Sequence, residues 1–151
     1  MRRKASQLPD RDAWDLLQNG IWGTLATVDS NGQPYAVPMN YALLGTTLYL
    51  HSAMEGHKID NLHENPRVSF SVVATAEVLS EQFDMTYRSV VVFGTARIVK
   101  DTKEKLTALE ALMEKYSPAF HDKAMEYISS NIGRTAVIAV EISAIAAKTG
   151  R

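Results

Sequence analysis

The stretch 49–66, YLHSAMEGHKIDNLHENP, carries three local signals in succession. Thr47-Leu48-Tyr49-Leu50 is rich in β-formers and runs into His51-Ser52. Ala53-Met54-Glu55-Gly56 is a small, flexible hinge. From His57 to Asn65 the spacing turns helical, with Ile59 and Leu62 on one face and Pro66 as the stop. The order is therefore strand, glycine-bearing turn, helix. The charge at the start of that helix is unusual. A helix N-terminus carries partial positive charge and unpaired N–H groups and so favours Asp or Glu. Here His57 and Lys58 stand there, at a cost of a few tenths to about 1 kcal/mol. An anion held between the side chains and the N–H groups removes that cost, and phosphate is the usual one. A solvated Lys and His on an ordinary surface helix account for the same residues.

Reading outward, Pro9–Asn19 is a short helix with Ala13, Leu16 and Leu17 on one face and Gly20 as its stop. Trp22–Val28 is a strand. Asp29-Ser30-Asn31-Gly32 is a turn. Pro34–Ala42 is a second strand that pairs back as a hairpin, and Pro38 requires a bulge or an edge because it cannot donate to a ladder. After a turn at Gly45, Thr47–Ser52 completes a three-stranded meander. Arg67–Ala74 is a fourth strand, and Thr75–Asp84, without a period, reads as a loop. Tyr87–Val99 is a long fifth strand with a bend or bulge at Gly94. Asp101 caps a helix running to Tyr116, with Glu104 completing a capping box. Ala119–Ile132 is a further helix, and Thr135–Ile145 a sixth strand. This pattern predicts a mainly β chain: a six-stranded antiparallel barrel with peripheral helices, in one domain over residues 1–151.

Composition removes several function classes. The chain has 151 residues, 46% of them hydrophobic, and no apolar run near the ~20 residues of a membrane span. The basic start Met1-Arg2-Arg3-Lys4 is followed by Pro9-Asp10-Arg11-Asp12 rather than an apolar core, so it does not read as a signal peptide. A formal net charge of -1 offers no general attraction to nucleic acid. The absence of cysteine excludes disulfides, thiolate metal sites and thiol catalysis, and fits a cytoplasmic location.

No G-x-G-x-x-G, P-loop, G-x-S-x-G or H-E-x-x-H is present. His57 with Asp60 or Asn61, and His63 with Glu64, have unspecific spacing, and no metal site is assigned. Arg88, ahead of Val90-Val91-Val92-Phe93, reads either as an anion contact or as a strand-end ion pair.

Several segments in order then carry a resemblance: the Trp22–Val28 hairpin with Asn31-Gly32, PYAVPMNY (34–41), LYLHSAMEGHK (48–58), NPRVSF (65–70) and RSVVVFGTARIV (88–99). Together they resemble the FMN-binding split-barrel proteins, the pyridoxamine 5'-phosphate oxidase-like superfamily, and within it the 5-nitroimidazole-resistance reductase branch. The match runs from about Arg2 to the last strand. The resemblance implies a six-stranded split barrel and a homodimer with FMN at the subunit interface. It implies main-chain flavin contacts from Pro38, Met39 and Asn40, contacts to the ribityl–phosphate side from Leu50, His51 and Ser52, and a phosphate grip by His57 and Lys58, where the oxidases have Arg-Lys. Arg88 and Ser89 match a strand start that contacts flavin, in the oxidases partly from the partner subunit. Two departures count against pyridoxamine phosphate oxidation: Asn40 stands where the oxidases have lysine, and the chain end lacks their tryptophan. The expected function is electron transfer from a reduced donor, NAD(P)H, to a small acceptor such as a nitroaromatic, with His51 as a proton donor or, equally, a flavin-contacting or structural residue. The alternative is a sensor or carrier binding flavin, haem or deazaflavin without turnover.

Overall fold

The computed structural model describes residues 6–150; the basic N-terminal run and Arg151 lie outside them. Seven strands form one antiparallel sheet: β1 Gly23–Val28, β2 Pro34–Met39, β3 Ala42–Leu44, β4 Thr47–Ala53, β5 Arg67–Leu79, β6 Asp84–Ile98 and β7 Thr135–Gly150. The helices are α1 Asp10–Asn19, α2 His57–Glu64, α3 Thr102–Tyr116 and α4 His121–Asn131. Strand order is β2-β1-β5-β6-β7-β4-β3. The sheet coils around its core as a split barrel: the chain steps from one edge strand, β2, to the other, β3, through Asn40 and Tyr41.

Three expectations are revised. The stretch 34–42 is two strands, because the chain leaves β1 after Met39 and joins β4 from Ala42, which makes seven strands rather than six. The first three predicted strands are consequently not a meander; β2 and β4 lie near opposite ends of the sheet. Residues 75–84 are not a loop. Thr75–Leu79 pairs with Asp84–Arg88, and a 3₁₀ turn at Ser80–Gln82 closes the hairpin. That ladder is exposed on both faces, so burial imposes no period for the sequence to display. Strand β7 likewise runs past Ile145, paired to β6 as far as Tyr87↔Gly150.

Two cores result. Leu25, Leu48, Leu50, Phe70, Val72, Val90, Val92 and Ile138 fill the barrel, and Ile59 and Leu62 of α2 join them from below. Tyr49, Val137 and Ala139 face outward against Leu109 and Leu112 of α3 and Ile128 of α4. The predicted cap of α3 forms, with the Asp101 carboxylate accepting from Glu104 N–H at 2.8 Å. Glu104 also takes a bidentate ion pair from Arg97 and a hydrogen bond from the Tyr49 hydroxyl, which locks α3 to the sheet.

At the β6–β7 register shift, between Phe93 and Gly94, the backbone of Glu141 and the side chain of Val140 occupy the space a Cβ at position 94 would need. Gly94→Ala should therefore lower stability by about 1–3 kcal/mol in urea denaturation; an unchanged midpoint would show that the sheet relaxes freely there.

Candidate functional site

The site is an opening in the barrel wall. Strand β3 pairs only with Thr47–Tyr49, so Leu50, His51, Ser52 and Ala53 have a ladder partner on the β7 side alone. Across the opening, β2 pairs with β1 alone. The turn bond from Asp29 N–H to Gln33 O (3.1 Å) sets the phase of that ladder. Tyr35, Val37 and Met39 turn their main-chain groups to β1, while Ala36 and Pro38 turn theirs to the free edge. Pro34 and Pro38, which have no N–H, both fall where the ladder requires none. Pro38 thus marks an edge, without a bulge.

Helix α2 spans this opening from below. Its apolar face is buried, and the Asn61 amide donates to Thr27 Oγ1 at 2.9 Å, both side chains being buried. At the other end of α2 the Glu64 carboxylate accepts from Ser30 N–H at 2.7 Å. Helix and β1–β2 hairpin are therefore joined at two points. The helix begins at Gly56, whose φ of 133° suits glycine, and no side chain caps it. From the first turn, Lys58 Nζ reaches β4 and donates to Ser52 Oγ at 3.1 Å. His57 turns the other way and lies against the Tyr35 ring of β2, centroids 4.3 Å apart and planes at 30°.

The donor set at this point is one ammonium, one imidazole, one hydroxyl and an uncapped helix N-terminus. Lys58 has no carboxylate partner among the described residues. These groups fit a phosphate monoester. The free edge of β2 beside it offers main-chain donors and acceptors.

The structure thus gathers Pro38, Met39, Asn40, Leu50, Ser52, His57 and Lys58 around one opening, with Leu50 and Met39 buried beneath it. His51 alternates to the outer face of β4, the side of Tyr49, away from Leu50 and Ser52. Partial burial pushes its imidazole below the usual value. Arg88 and Ser89 lie elsewhere. They pair on β7 with Thr149 and Lys148, whereas His51 pairs with Val137. Val137 and Lys148 are 11 residues apart along β7. Arg88 instead lines a cleft of about 650 Å³ with Asp12, Asp15, Trp22 and Val73. Among the described residues no three His, Asp or Glu side chains are grouped to hold a metal ion. Asn61 is committed to Thr27 and Glu64 to Ser30.

Sequence reasoning did not single out Thr27, weighed Asn61 only as a metal contact beside His57, and read Tyr35 only as one of several strand aromatics that line the core, an interface or an aromatic ligand. The alternation Tyr35, Val37, Met39, counted from the Asp29–Gly32 turn, was the signal that could have placed Tyr35 on the inner face.

A family model described as pyridoxamine 5'-phosphate oxidase matches residues 9–149. Over 62 residues the chain is 45% identical to the uncharacterized protein RA0666 of Rhizobium meliloti (strain 1021), a match spanning 41% of this chain and 36% of that protein. A candidate 5-nitroimidazole antibiotic resistance protein from Bacteroides thetaiotaomicron has the same fold: TM-score 0.77, 24% identity, 95% of this chain and 86% of the other covered. So does the FAD and heme binding protein of Mycobacterium smegmatis, with TM-score 0.79, 24% identity and 97% and 74% coverage.

Two outcomes are expected. Gly56→Ala should cost about 1–3 kcal/mol in chemical denaturation, because its φ suits glycine alone; no loss would mean that the turn rearranges. The lowered pKa of His51 means that the folded chain binds fewer protons there than the unfolded one. Its contribution is intact above the unfolded pKa of ~6.5 and is lost as pH falls below it. Between pH 7 and 5, His51→Gln should lose less stability than the parent chain. Parallel profiles would contradict the lowered pKa of that ring.

Proposed function

This chain belongs to the pyridoxamine 5'-phosphate oxidase family, and on that premise we propose that it is an FMN-dependent oxidoreductase. Its electron donor is a reduced nicotinamide, NADH or NADPH, and its acceptor a small organic molecule of the nitroaromatic kind. The observation that carries this reading is the cationic, uncapped start of α2, tied to β4 through Lys58 and Ser52 and open to the free edge of β2. Bound flavin supplies the two-electron chemistry; the chain supplies binding, orientation and electrostatics.

In this reading the first turn of α2 and Lys58 neutralise the phosphate. The Ser52 hydroxyl holds the Lys58 ammonium at the mouth of the opening. Main-chain groups of Ala36 and Pro38 meet the polar edge of the ring, and buried Met39 and Leu50 exclude water from beneath it. His51, on the other face of β4, is the nearby imidazole for proton exchange with solvent. A single terminal phosphate suits one helix start, which favours FMN over a dinucleotide.

The reading includes a homodimer. In it, Arg88, which lines the cleft with Asp12 and Trp22, and Ser89 beside it serve the flavin of a second copy. It also includes a cytoplasmic location, supported by the cysteine-free composition; among the described residues no helix is long and apolar enough to cross a membrane. The second reading is a flavin- or haem-binding carrier without turnover, favoured by the fold shared with the M. smegmatis FAD and heme binding protein.

Protein incubated with FMN and desalted should retain about one flavin per chain and oxidise NADH or NADPH when a nitroaromatic is added. Retained flavin without turnover supports the carrier, and a Soret band supports haem. Lys58→Ala should weaken FMN binding by about 1–3 kcal/mol and leave riboflavin affinity unaltered. Equal FMN affinity in the folded variant removes Lys58 from the site.

A further inference from the structure

We propose that Tyr35 is the positioning residue of the phosphate site: its ring holds the His57 imidazole at the mouth of α2, so that the edge of that imidazole is presented to the flavin phosphate. The inference rests on the flavin reading above and assigns a role to a side chain which that reading leaves unused.

Three observations support it. First, His57 is exposed, with no hydrogen bond or ion pair to another side chain among the described residues; the face of Tyr35, 4.3 Å away at 30°, is the contact that orients it. Stacking engages the face of an imidazole and leaves its edge, where both nitrogens lie, open. Second, the platform is rigid where the ligand needs it to be. Tyr35 pairs with Thr27 in the β1–β2 ladder, and the Thr27 side chain is the buried acceptor of the Asn61 amide. The Tyr35 ring and the α2 backbone that carries His57 are thereby referenced to the same strand residue. Third, His57 and Lys58 are drawn in divergent directions, to Tyr35 on β2 and to Ser52 on β4. The space between them lies over the N–H groups of the first turn, and there an anion meets donors from both sides and from below.

The Tyr35 hydroxyl makes no hydrogen bond among the described residues, so the ring rather than the oxygen does the positioning. That separates this role from a generic polar one. Tyr35→Phe keeps the stack, whereas Tyr35→Leu keeps apolar cover on the strand and removes the aromatic face.

The test is a double-mutant cycle read by flavin fluorescence, with FMN and riboflavin titrated separately and the fold of each variant checked by circular dichroism. Tyr35→Leu should weaken FMN about 3- to 10-fold, the scale of one aromatic pair, and leave riboflavin within error. Tyr35→Phe should match the parent chain. In a His57→Ala background, Tyr35→Leu should cause no further loss. An equal loss in that background, or equal losses for FMN and riboflavin, overturns the proposal while leaving the flavin site standing. If the parent chain itself binds FMN no more tightly than riboflavin, the phosphate reading fails, and the role of Tyr35 with it.

Discussion

The missing ladder between β2 and β4 is the constraint on which the rest of the molecule turns. A barrel closes when its first and last strands exchange hydrogen bonds, and closure removes the edges. Here the chain crosses from one flank to the other at Asn40–Tyr41, pairs for only three residues in β3, and leaves the end of β4 unpaired on one side. The prolines keep β2 from serving as a template for another strand, because Pro38 presents a carbonyl but no N–H to the open edge. The result is a wall with a slot in it rather than a defect in a wall.

Such a slot would expose the core unless something covered it from below, and α2 does so. Ile59 and Leu62 sit in the barrel core, and the Asn61–Thr27 bond holds the helix in one register against β1. A buried amide that lost this partner would bear the full cost of desolvation, about 1–3 kcal/mol. The bond therefore selects one placement of α2. Its consequence for function is positional: the helix start, with His57 and Lys58, is delivered to the slot and nowhere else. Packing on one face of α2 and the position of the cationic side chains at its end are two results of the same placement.

Much of this was legible in the sequence because it is local. The strand–Gly56–helix order, the cap at Asp101, the edge at Pro38 and the irregularity at Gly94 are each written in a few neighbouring residues, and the structure shows each of them. The misplaced charge at His57-Lys58 was legible for the same reason. What was not legible depends on pairing at a distance. Nothing near residue 40 states that the chain will abandon β1 for β4, so one strand was read where two exist. The hairpin 75–88 is exposed on both faces and carries no hydrophobic period, so it resembled a loop. The outward side of His51 follows from the β4 alternation. The separation of Arg88 from α2 follows from a register along β7 that only the folded sheet reveals.

The central claim is that one opening, bounded by β2, the end of β4 and the start of α2, receives a flavin phosphate. Amide hydrogen exchange with and without saturating FMN tests it most directly. The account predicts slower exchange in residues 34–40 and 50–60, with His57 and Lys58 among the most protected. Protection confined to the cleft beside α1, with the amides of α2 unchanged, would contradict it.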